Sequence, residues 1–214
     1  MYEDKPPGKS PFANLRKGLN TIMSCPEEKN DAARPSSVAD RLIKSRTVML
    51  SGEVDQDLAE RIIAELLILD AESHDPIRMI ITSQGGHVDS GFAIHDTIRF
   101  IGSDVIAIGA GWVASIAVPI MFGAKKEHRF ALPHTRFLLH QPSGGAGGVL
   151  QDIRIEAQEL LKIRERLYEM IAEETGQTVD KIRKDSDRNF WMNSEEAKEY
   201  GIISKIISTI SDLP

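Results

Sequence analysis

The sequence predicts an α/β fold: parallel strands joined by crossover helices, then one long projecting helix. Three observations carry that prediction. Short apolar runs alternate with segments of helical period through the first half of the chain, the order that builds a parallel sheet. Glycines and serines punctuate the ends of those runs. After a glycine-rich stretch, one amphipathic segment continues without a break to about Thr175. At 214 residues and 41% hydrophobic, the chain holds enough apolar side chain for a single full core.

Taken in order, residues 1–36 are rich in Pro, Lys, Glu, Asn and Asp and show no clean period, so they read as a mobile N-terminal arm preceding one domain at 37–214. Ser37 to Ile43 reads as a short helix. Thr47-Val-Met-Leu50 is a strand closed by Ser51-Gly52. Asp55 caps a helix whose Leu58, Ile62, Leu66 and Leu69 recur at helical spacing. Ile77 to Thr82 is a second strand, ending in Ser83-Gln-Gly-Gly86. A helix follows through Gly91 to Phe100, then the strand Val105 to Ile108, which closes near Gly109. Phe130-Ala-Leu and Arg136 to His140 add short strands. The long helix stops at Gly176. Its Ile153, Leu160, Leu161, Ile163, Leu167, Met170 and Ile171 exceed what one small domain needs to cover, which suggests a partner subunit. A helix from Ser194 to Tyr200 and a strand from Ile202 to Ile210 end the chain.

Composition narrows the function. A net charge of −6 and a pI near 5.6 leave no basic stripe to displace counterions, so nucleic acid is not an expected partner. The single cysteine, Cys25, forms no internal disulfide or zinc cluster, which fits a reducing cytoplasm. Met1 to Lys9 carries acids and prolines with no apolar run after it, unlike a secretory leader. Val105 to Ala124 lacks charge and has the length of a membrane span. Gly109, Gly111, Ser115 and Pro119 interrupt it, so a buried strand–turn–helix is the reading adopted.

Inside that apolar stretch lies Ser115, in Gly111-Trp-Val-Ala-Ser115-Ile. His140 follows at the end of a strand, in Phe137-Leu-Leu-His140-Gln-Pro142. A serine hydroxyl is a weak nucleophile until an imidazole takes its proton, so the two are a minimal apparatus for acyl transfer. Taken singly, Ser115 reads first as the N-cap of a buried turn, and His140 as a hydrogen-bonded core residue. The Ile116 N–H, unpaired at a helix start, would face a developing oxyanion. Gly85-Gly86 offers backbone N–H groups after a strand, or is simply a tight turn. His74, His87, His95, His128 and His134 have no metal spacing and read as surface residues.

The combination is more specific than its parts. Ser83-Gln-Gly-Gly86-His-Val, Gly111-Trp-Val-Ala-Ser115, Arg129-Phe-Ala-Leu-Pro133 and His140-Gln-Pro142 together resemble the Clp peptidase family, the proteolytic subunits of ATP-dependent Clp proteases. The similarity extends from about Ser37 to Ile207. It includes Asp152-Ile-Arg-Ile155, Glu173-Glu-Thr-Gly-Gln177 and Glu195-Glu-Ala-Lys-Glu-Tyr-Gly201.

The resemblance implies a spiral of β-α-β units, a core shared with crotonase-like enzymes, with residues 143–175 forming a projecting handle. It implies Ser115 as nucleophile, His140 as general base, and the Gly86 and Ile116 N–H groups as oxyanion hole. Asp187 and Arg188 would make ring-to-ring ion pairs. The expected assembly is two stacked heptameric rings, homomeric or mixed with a paralogue, degrading unfolded polypeptides delivered by a separate AAA+ unfoldase. No P-loop is present, so ATP belongs to that partner, and no cofactor is expected in this subunit.

The chain departs from the family pattern in four places. Asn189 stands where the triad normally has aspartate. Its carbonyl can orient a histidine but cannot stabilise imidazolium by charge, which makes a slow or conditionally active peptidase the expectation, with a silent structural subunit as the alternative. Gln84 replaces a proline, which should loosen the turn that aims Gly86. Ile80 replaces an aromatic of the unfoldase-docking pocket, although Phe100 is retained. The arm before Ser37 does not resemble the family's N-terminal pore loop.

Overall fold

In the computed structural model of the chain, residues 38–145 and 147–214 are described. The reading of residues 1–36 as an arm lies outside them. The elements in order are α1 (Val38–Lys44), β1 (Thr47–Val54), α2 (Gln56–Glu72), β2 (Ile77–Gly86), α3 (Val88–Phe100), β3 (Val105–Ala114), α4 (Ala117–Met121), β4 (Arg129–Ala131), β5 (Arg136–Leu139), α5 (Leu150–Thr175), α6 (Val179–Asp185), β6 (Phe190–Asn193), α7 (Ser194–Tyr200) and β7 (Lys205–Ile206). Short 3₁₀ turns lie at Lys126–His128 and Ile210–Asp212.

Parallel pairing of β1 with β2, β2 with β3, β3 with β4 and β4 with β7 builds the main sheet. Alternating burial along β2 and continuous burial at the start of β3 are what covered parallel strands require. Helices α2 and α3 put Ile62, Leu66, Leu69, Ile94 and Ile98 into the core beneath them. Asp55 caps α2 as expected, accepting from the Leu58 N–H at 2.8 Å.

Strand β3 carries the fold around a corner. Its first half pairs with β4, from Ala107 opposite Arg129 to Gly109 opposite Ala131. Its second half pairs with β5, from Trp112 opposite Arg136 to Ala114 opposite Leu138. The connecting residues are stitched to the corner, because Leu132 N–H and Thr135 Oγ1 both donate to the Gly109 carbonyl at 2.9 Å.

Several expectations change. The strand does not end near Gly109 but runs to Ala114, with Gly111 accommodating a φ of 69°. The strand expected over Ile202–Ile210 shrinks to two residues, followed by a 3₁₀ turn. Helix α6 and strand β6 were not anticipated. His95 is not a surface residue. It is buried, its Nδ1–H donating to the Pro119 carbonyl at 2.8 Å, and burial pushes its pKa below the ordinary imidazole value. Among the described residues no helix is long and apolar enough to cross a membrane, and Val105–Ala124 is β3 followed by the short α4.

Candidate active site

Ser115 occupies the turn between β3 and α4 with a φ of 56°, a left-handed conformation unusual for a residue with a Cβ. Two bonds hold it there. Its N–H donates to the Leu138 carbonyl at 2.9 Å, and its own carbonyl accepts from the Val118 N–H at 3.0 Å. The N-cap reading of Ser115 is thereby corrected. Ile116 is the cap residue, with no side-chain cap bond, and Ser115 is left half-exposed with its hydroxyl uncommitted to the helix.

His140 follows the last residue of β5. The antiparallel pairing of β5 with β6 sets Leu139 opposite Phe190, which delivers the preceding Asn189 to the imidazole. His140 Nδ1 lies 3.1 Å from Asn189 Oδ1. A carbonyl oxygen only accepts, so Nδ1 carries the proton and Nε2 keeps the lone pair. Nearby, the Gln141 N–H and its side-chain amide bond the Ser186 and Asp187 carbonyls at 2.7 and 3.0 Å, fastening this turn to the segment that carries Asn189.

Ser115 and His140 share a small cavity of about 20 Å³. Val88, Ile116, Pro119, Leu139 and Pro142 line it, and Leu167, Tyr168 and Ile171 of α5 complete the wall. No hydrogen bond joins the Ser115 hydroxyl to His140, so the histidine–asparagine bond is formed while the serine–histidine bond is open. Catalytic bonds often tighten only once substrate is present.

The glycine pair lies against this turn. Gly85 and Gly86 have φ values of 88° and 153°. A Cβ at Gly85 would fall 2.6 Å from Ser115 Cβ and 3.1 Å from the Ile116 nitrogen. A Cβ at Gly86 would meet the Val54 carbonyl oxygen at 2.3 Å. Gly91 on α3 packs equally close, since a Cβ there would meet Ile116 Cγ1 at 2.2 Å. The structure therefore brings Ser115, Ile116, His140, Asn189 and the Gly85-Gly86 turn together. Asp187 and Arg188 do not join them. Both are exposed and make no ion pair among the described residues.

Sequence reasoning missed the close approach of Gly91. Its one signal was a glycine inside a helical pattern, a position that costs stability unless packing demands it.

Comparison with known proteins places the arrangement. A family profile described as Clp protease matches residues 29–210. The ATP-dependent Clp protease proteolytic subunit 3 of Rhizobium meliloti is 46% identical, over 87% of this chain and 96% of that protein. The proteolytic subunit 2 of Pseudomonas aeruginosa is 50% identical, over 77% of this chain and 82% of that protein. The solved structure of an asparagine-to-aspartate mutant of ClpP1 from Listeria monocytogenes aligns with a TM-score of 0.77 at 47% identity, covering 83% of this chain and 100% of that one. By its profile, its relatives and its mixed α/β architecture alike, the chain belongs to the Clp protease family.

Proposed function

We propose that this chain is a serine-type endopeptidase subunit whose triad is Ser115, His140 and Asn189. The observation that carries the proposal is the His140–Asn189 bond at 3.1 Å, because it turns the basic Nε2 away from β6 and leaves it free to accept a proton. In the reaction, His140 Nε2 takes the Ser115 hydroxyl proton as Oγ attacks the peptide carbonyl carbon. The carbonyl oxygen gains negative charge, which the Gly86 and Ile116 N–H groups receive. Collapse breaks the C–N bond, and the imidazolium gives its proton to the leaving amine. Water then hydrolyses the acyl-enzyme by the same route.

Two features support the oxyanion assignment. The His87 N–H donates to the Val54 carbonyl at 2.6 Å, so the preceding Gly86 N–H is turned off the β1 ladder. Ile116 opens the turn into α4, where a first N–H lacks an intrahelical acceptor.

Substrates on this reading are unfolded polypeptides, and the setting is the cytoplasm. The subunit works in two stacked heptameric rings, alone or with a paralogue, with Asp187 and Arg188 at the ring contact. A separate AAA+ unfoldase feeds the compartment and hydrolyses the ATP, and this subunit needs no cofactor. Docking of that unfoldase is supported by a cavity of about 420 Å³ lined by Leu42, Ile80, Ile108, Leu132 and Ile207 among others. Phe100 lies outside that lining and is 82% exposed.

Asn189 keeps a second reading in play, a catalytically silent ring subunit. Peptide hydrolysis by the wild type, Ser115→Ala and Asn189→Asp separates the two, together with labelling by a fluorophosphonate probe. Hydrolysis and labelling abolished by Ser115→Ala establish the peptidase. Equal rates in all three proteins and no label at Ser115 assign the silent role.

A further inference from the structure

Strands β1 and β2 lose register beside the site. Ser51 pairs with Thr82 and Glu53 pairs with Gly85, so the single residue Gly52 faces two residues, Ser83 and Gln84. A bulge of this kind interrupts the ladder and leaves backbone groups of the facing strand without their regular partners.

Here the side chains of the two bulge residues take over. The buried Ser83 hydroxyl donates to the Gly52 carbonyl at 2.5 Å and accepts from the Gly85 N–H at 3.0 Å. Turned so that its nitrogen faces the Gly52 carbonyl, the orientation that satisfies both neighbours, the Gln84 amide donates to Gly52 O at 3.2 Å and accepts from the Glu53 N–H at 3.2 Å. Gly52 O thus receives two donors, one per lone pair, and Glu53 N–H recovers an acceptor. In that orientation glutamine ties the turn to β1 by side-chain bonds that a proline could not make.

Gly85 and Gly86 are the next residues along the chain, and they have no slack. The Gly85 Cα is packed so tightly on Ser115 and the Ile116 nitrogen that not even a methyl group fits between them. Whatever fixes the height of the bulge fixes the height of the Gly86 N–H.

From this we infer that Gln84 is a positioning residue for the oxyanion hole, spanning the bulge by its amide and holding the Gly86 N–H in line with the Ile116 N–H. The inference rests on the peptidase reading. Gln84 touches no reacting atom, and its effect passes through the backbone of β2. Because it is exposed and its bonds are local, its loss should spare the fold.

The test compares wild type, Gln84→Met and Gln84→Glu in peptide hydrolysis and in binding of a peptide boronate, whose tetrahedral adduct directs an oxygen into the hole. Gln84→Met keeps the stem but loses both bonds. It should lower kcat about tenfold, a fraction of the roughly 10²–10³ that follows loss of an oxyanion donor. KM, melting temperature and the pH profile of kcat should stay where they are. Boronate affinity should fall in parallel with kcat/KM, while a non-covalent product peptide binds unchanged. Gln84→Glu keeps the acceptor for the Glu53 N–H but sets a carboxylate oxygen against the Gly52 carbonyl, so it should fall at least as far as Gln84→Met. Wild-type kcat and boronate affinity in Gln84→Met would overturn the inference. A wild type no faster than Ser115→Ala would instead bring down the peptidase reading itself.

Discussion

At the scale of single residues, the proposed triad makes Asn189 the residue on which the rate should turn. In Ser-His-Asp enzymes, changing the aspartate to asparagine costs about 10⁴ in kcat, chiefly because the amide leaves the histidine in the wrong tautomer. Here the amide presents its oxygen to Nδ1 at 3.1 Å, so the tautomer is already correct. What is missing is charge. A hydrogen bond to a charged acceptor contributes about 1–2 kcal/mol more than a neutral one, or roughly tenfold in rate. Asn189→Asp should therefore raise kcat about tenfold with KM little changed, well short of 10⁴. A gain approaching 10⁴ would mean that the amide of the wild type turns its nitrogen to the imidazole. His95, behind the same turn, supplies a pH dependence of another kind. Burial depresses its pKa, which outweighs the Pro119 bond that favours the proton. The unfolded chain takes up a proton as pH falls through about 6.5, whereas the folded chain does not, so stability decreases below that pH. His95→Gln keeps a donor for the Pro119 carbonyl and does not titrate. Its melting temperature between pH 7.5 and 5.5 should be flatter than that of the wild type, and parallel curves would refute the assignment.

At the scale of elements, the end of α5 is fastened to the sheet by charge. Glu174 bridges Arg99 of α3 and Arg129 of β4, each at 2.5 Å. Arg129 is only 1% exposed and also donates to the Ala124 and Phe122 carbonyls at 2.9 and 3.1 Å. Removing the carboxylate strands a buried guanidinium, which costs about 3–5 kcal/mol. Glu174→Ala should lower the melting temperature far more than Arg99→Ala, whose guanidinium is half in water. Comparable losses would show that Arg129 finds another acceptor. The elements that were legible in the sequence were those with a strong local period: β1, α2, β2, α3 and α5. The continuation of β3 was hidden because Gly109 and Gly111 break its apolar pattern, and what makes it a strand is a change of partner from β4 to β5. Strand β6 is four residues long, too short for any period, and exists because it pairs antiparallel with β5. The contact between Asn189 and His140 depends on that pairing. Neither composition nor spacing carries such a register, so resemblance alone pointed to Asn189. Ser115 and His140 were legible because each is a polar residue set in a dry run.

At the scale of the whole molecule, one feature demands a partner. The last turns of α5 bury Leu167, Tyr168, Ile171 and Ala172 against the domain, whereas residues 150–159 are all exposed. Leu150, Ile153, Ala157 and Leu161 follow one another at spacings of three and four, forming a single exposed stripe. A contiguous apolar stripe left in water is the mark of an assembly surface. Each Leu or Ile covered contributes about 1.5–3 kcal/mol, so two of them set the dissociation constant of a contact by a factor on the order of 10² or more. In native mass spectrometry, Ile153→Glu combined with Leu161→Glu should therefore give smaller species than the wild type. The melting of the isolated domain should not shift, since surface positions change stability by only about ±0.5 kcal/mol. Peptide hydrolysis should decline with assembly rather than with folding if the handle helps to shape the cavity wall at Leu167, Tyr168 and Ile171. An unchanged oligomer in the double variant would show that the stripe faces water in the assembly and that the subunits meet elsewhere.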